Sequence, residues 1–81
     1  MTEPTWKAIH ADLTRLEDSL ESAVAVTGND LLRRGARDVS RLRAEAAKAP
    51  PNGLANREFV KEVAAMAERF APLLDQEVGR N

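Results

Sequence analysis

Trp6, Ile9, Leu13, Leu16, Leu20 and Ala23 succeed one another at alternating steps of three and four residues. At about 100° per residue, that spacing lays them along one narrow stripe of a helix. So narrow a stripe is the seam of a bundle or coiled coil rather than a broad globular face. The same steps recur at Leu32, Gly35, Val39, Leu42, Ala46 and Ala49, where small residues invite a neighbour to approach closely. A third stretch is broader. Phe59, Val60, Val63, Met66, Ala67, Phe70, Leu73, Leu74 and Val78 cover an arc of about 140°. Two seams lie side by side on it, so this helix has room for two neighbours.

The chain is punctuated at Thr27-Gly28-Asn29-Asp30 and at Ala49-Pro50-Pro51-Asn52-Gly53. These breaks predict helices over about 4–26, 30–49 and 54–78. Pro4 suits a first helical turn, and Thr2 or Thr5, Asn29 or Asp30, and Asn52 or Asn56 are the candidate N-caps. Gly79 is the expected stop of the last helix, and Pro72 is expected to bend it toward the core. The double proline must turn. Gly28-Asn29 is the ambiguous break: it ends a helix, the reading favoured here, or interrupts one helix of about 45 residues through a four-residue stutter. If Pro50–Gly53 is a tight antiparallel hairpin, Val39, Leu42 and Ala46 face Phe59, Val60 and Val63. The expected fold is all-α, a helical hairpin or three-helix bundle with coiled-coil-like seams, in one small domain over 1–81.

Composition narrows the function classes. Ala, Leu, Glu and Arg dominate, and Tyr is absent, which favours helix over strand. With 81 residues and no cysteine, neither a disulfide nor a thiolate metal site supports the core. Chains this small bury only about 60 % of their unfolded surface. A partner chain or a second copy is therefore the expected stabiliser, as homo-oligomer or heterodimer. No run of about 20 apolar residues suggests a membrane span. Met1-Thr2-Glu3-Pro4 does not read as a secretory signal, and a cytoplasmic location is expected.

Net charge is −1, but it is unevenly distributed. Acids outnumber bases five to two over residues 1–27, and bases outnumber acids six to three over residues 28–49. Arg33, Arg34, Arg37, Arg41 and Lys48 fall within about 100° of one face of the second helix. They form a candidate stripe for an acidic partner or another anion. The competing reading pairs them internally with Asp12, Glu17, Asp18 and Glu21. No aromatic interleaves with them, which weighs against stacking on single strands.

Nothing in the pattern marks an enzyme. Glu17/Glu21, Glu58/Glu62 and Asp75 near Glu77 recur at helical spacing and read as solvent-facing charge balance. His10 reads as an ordinary surface histidine, and one histidine builds no metal site, so no cofactor or metal is expected. Gly-rich phosphate loops and nucleophile elbows are absent. Trp6 is either an interface anchor or a lid on the bundle end.

The length, Trp6 near the start and the proline-bearing turn Ala49-Pro50-Pro51-Asn52-Gly53 resemble a bacterial type III secretion needle subunit in outline. The second helix lacks the Tyr- and Asn-rich character of those subunits, and Gly28-Asn29 interrupts the first. The small helical co-chaperones of the same systems are a looser parallel in size and helical content. The likeness is one of outline, with no motif behind it, and implies an assembly subunit or co-chaperone.

The leading expectation is a non-enzymatic helical module for protein–protein interaction: a small adaptor, chaperone or assembly subunit that self-associates or pairs with a partner helix. Its expected partner-binding residues are Trp6, Ile9, Leu13, Leu16 and Leu20 on the first helix, with Phe59, Val63, Met66 and Phe70 on the third. The alternative is a small nucleic-acid-associated protein using the stripe from Arg33 to Arg41.

Overall fold

A computed structural model of the chain describes residues 4–78, with side chains as far as Asp75. Three helices pack together: α1 (Trp6–Thr27), α2 (Asp30–Lys48) and α3 (Arg57–Val78). No strand occurs among the described residues; Thr5 and Leu54 form one isolated antiparallel bridge. The fold is all-α, as the apolar periodicity predicts. No helix among the described residues is long and apolar enough to cross a membrane. Thr2 and Gly79, read as a cap and a stop, lie outside the described residues.

The break at Gly28 is real. Gly28 sits at φ 68°, the left-handed conformation that ends helices, and its N–H donates to the Val24 carbonyl at 2.7 Å. Asn29 then starts α2, its side-chain oxygen accepting from the N–H groups of Leu31 and Leu32. A long continuous helix is thereby ruled out, because the chain reverses in two residues.

The start of α1 meets expectation at its cap and departs from it at Pro4. Thr5, extended at φ −78° and ψ 160°, is the N-cap, and its hydroxyl accepts from Ala8 N–H at 3.2 Å. Pro4 therefore lies outside the helix, and its carbonyl accepts from Ala55 N–H at 2.8 Å. The second connection also differs. Gly53 N–H donates to the Pro50 carbonyl at 3.0 Å, so the turn forms, but α3 begins only at Arg57. Asn56 caps it by accepting from Glu58 N–H at 2.8 Å. The intervening loop runs across the start of α1. Trp6 N–H donates to the Gly53 carbonyl at 2.9 Å and Lys7 N–H to the Pro51 carbonyl at 3.1 Å. First-turn N–H groups have no partner within their own helix, so the loop supplies acceptors that α1 lacks. A longer loop is the cost of that capping.

The core draws on all three helices. α2 buries Leu32, Gly35, Val39, Leu42 and Ala46, all members of the expected seam. α1 buries Ile9, Leu13, Leu20 and Ala23. Phe70 and Val63 of α3 complete it, with Val60, Met66, Leu73 and Leu74 packed partly against it. A Cβ built on Gly35 would lie 2.5 Å from Phe70 Cζ, so the absent side chain at Gly35 makes room for the Phe70 ring. This contact sets the first half of α2 against the second half of α3, the antiparallel sense expected. At the loop end, Trp6 and Phe59 meet edge to face with centroids 5.0 Å apart. Pro72 is exposed within α3.

Candidate functional site

The apolar residues expected to grip a partner are engaged within the chain. Ile9, Leu13, Leu20, Val63 and Phe70 are buried in its own core, and Trp6, Leu16, Phe59 and Met66 pack partly against it. Here α1, α2 and α3 cover one another's seams. Trp6 stands half-buried at the bundle end against Phe59.

The sequence offers Glu17 both as a solvent-facing neighbour of Glu21 and as an acid for the arginines of the second helix; the structure buries it, at 5 % exposure. Its Oε1 lies 3.2 Å from Arg43 Nη1 of α2, while Oε2 has no hydrogen-bond partner among the described residues. The cause is geometric. α1 faces two helices, so its buried arc widens beyond a single seam. Glu17 lies four residues after Leu13, and Arg43 four after Val39, which stacks each beside a core residue. That i+4 relation was the signal available in the sequence.

The basic stripe lies where the wheel places it. Arg33, Arg34, Arg37, Arg41 and Lys48 are exposed on α2, turned away from its buried side. None reaches the acids of α1. Arg33 pairs with Asp30 at 3.0 Å and Arg41 with Asp38 at 3.9 Å, both within α2. Arg34, Arg37 and Lys48 form no ion pair among the described residues. The internal pairing expected of the stripe is made instead by Arg43, which lies outside it. Asp12 pairs with Arg15 on α1.

A furrow follows the α1–α2 junction. Near the turn it is a groove of about 390 Å³ lined by Glu21, Val24 and Ala25 of α1 and by Arg33, Ala36, Arg37 and Ser40 of α2. Near the loop a second groove of about 260 Å³ is lined by Trp6, Lys7, His10, Ala46, Ala47, Ala49 and Pro51. In sequence, Glu17 and Arg43 fall between the two. The walls are mostly small apolar residues, and the α2 rim at Arg33 and Arg37 is cationic. Glu58, Glu62 and Asp75 are exposed on α3, and the side chain of Glu77 lies outside those described. No group of three potential metal-ligating side chains occurs among the described residues.

The Glu17–Arg43 contact gives a stability prediction. Arg43→Ala strands a buried carboxylate and is expected to cost about 1–3 kcal/mol, less than a fully buried pair because Arg43 is part-exposed. Glu17→Leu removes the need for a partner and is expected to be neutral or stabilising. Urea melts of both variants check this; equal losses would show that the contact itself, rather than the buried charge, governs stability.

No protein-family model matches this chain, and no curated protein or solved structure matches it either.

Proposed function

We propose that this chain is a non-enzymatic helical module that binds another protein through the outer α1–α2 side, with the cations of α2 setting the charge of its partner. The observation that carries this reading is Arg37, exposed and without an ion pair among the described residues, on the rim of a furrow of small residues, with Arg34 one turn before it on the outer face of α2. Exposed cations that form no ion pair among the described residues are available to an external anion. The furrow offers apolar contact beside them, which a partner side chain or helix can use. A cytoplasmic location belongs to the same reading. Nucleic acid is the competing ligand for these arginines, and it offers no use for the furrow.

Site-specific photo-crosslinking in cells tests the reading. A photoreactive residue at Ala25 or Ala47, both exposed beside the furrow, is expected to yield discrete protein adducts. The same residue at Ala65, exposed on α3, is expected to yield few. Equal labelling at all three positions, or adducts to nucleic acid alone, would overturn the proposal.

A further inference from the structure

A second groove, of about 540 Å³, lies between α1 and α3 on another side of the bundle. Its lining is mostly apolar, with Ala71 and Leu74 of α3 beside Ser19 and Ser22 of α1, and its rims carry Asp18 from α1 and Asp75 from α3. Neither carboxylate forms an ion pair among the described residues. The opposite charge and the opposite shape occur on α2. Arg33, Arg37 and Arg41 form one i, i+4 row, and with Arg34 they make a cationic ridge about 12 Å long on the outward side of that helix.

We infer that the partner of the α2 face is a second copy of this chain, its Asp18–Asp75 groove receiving the Arg34/Arg37 ridge. This rests on the interaction reading above and names its partner. Three observations support it. A helix can lie in a groove formed by other helices. Cations and carboxylates that form no ion pair among the described residues would meet there. The chain is almost neutral, at −1, so copies do not repel one another as whole bodies, while charge is segregated between residues 1–27 and 28–49. Ridge and groove are different surfaces, so the contact is heterologous and its symmetry leads to a ring or an open chain rather than an isologous dimer.

Sedimentation velocity on the full chain tests this with three proteins: wild type, the ridge variant Arg34→Glu/Arg37→Glu, and the groove variant Asp18→Lys/Asp75→Lys. All four positions are exposed, and circular dichroism checks that each variant keeps wild-type helicity. At about 50 mM salt the wild type is expected to sediment at twice its monomer mass or more, and at about 500 mM salt as monomer, because screening shortens the reach of exposed charges. Each variant alone is expected to remain monomeric at low salt. Mixing the two is expected to restore association, since each reversed surface then meets its complement. A wild type monomeric at low salt, a mixture that stays monomeric, or oligomers that survive high salt would each overturn the inference. So would duplex DNA binding by an otherwise monomeric wild type. A monomer that still gives furrow adducts to a different protein would overturn this inference and leave the interaction reading standing; a monomer without adducts would remove both.

Discussion

Leu42→Asp is expected to leave the chain unfolded. Leu42 is 2 % exposed in the middle of α2, within the cluster that all three helices share. Losing a buried leucine costs about 2–5 kcal/mol. Placing an unpaired carboxylate there adds a desolvation penalty of several kcal/mol. A chain of this size has roughly 4–12 kcal/mol of total stability, so the sum is enough to abolish the fold. Circular dichroism should show loss of most helical signal and no cooperative melt. The neighbouring exposed substitution Arg41→Asp is the control, and it is expected to keep the native signal. Native helicity with a cooperative melt in the Leu42→Asp chain would mean that α2 does not bury this side.

Phe70→Ala is expected to cost about 3–5 kcal/mol, the usual range for emptying a buried aromatic site. Phe70 is 4 % exposed and lies against the notch at Gly35. The reciprocal change is the sharper test. In an exposed helix, Gly→Ala gains about 1 kcal/mol from propensity. At Gly35 the new Cβ meets the Phe70 ring, and overpacking costs about 1–3 kcal/mol, so Gly35→Ala is expected to be destabilising overall. Phe70→Leu in the same chain should recover part of that loss, a coupling that a double-mutant cycle measures directly. A stabilised Gly35→Ala protein would show that α3 does not seat on α2 there.

The helices and the α2 seam were legible because burial follows the 3.6-residue period closely when a helix presents small residues to its neighbours. Gly28-Asn29 was legible as a break but not as a certain one, since glycine also occurs within helices; its left-handed φ decided the matter. Two features escaped for physical reasons. The loop carbonyls of Pro51 and Gly53 cap α1 from some 45 residues away in sequence, and no local pattern encodes a contact of that range. The burial of Glu17 escaped because charge suggests exposure, whereas its place beside Leu13 puts it in the widened arc of a helix with two neighbours. The candidate site was legible in part. The wheel placed the cationic stripe. It could not show that Arg33 and Arg41 find acids within α2 while Arg34 and Arg37 find none among the described residues. The apolar set from Trp6 to Phe70 looked available to a partner because a seam reads the same whether its complement lies in the same chain or in another.

The concentration dependence of the thermal midpoint tests most directly whether that seam is closed within one chain. Melts are followed by circular dichroism over a hundredfold range of protein concentration, at about 500 mM salt so that contacts between exposed charges are screened. A core completed by α1, α2 and α3 of a single chain melts at one temperature throughout that range. A midpoint that climbs by several degrees with concentration would mean that folding and association are linked, and that Ile9, Leu13, Leu20, Val63 and Phe70 are covered by another chain.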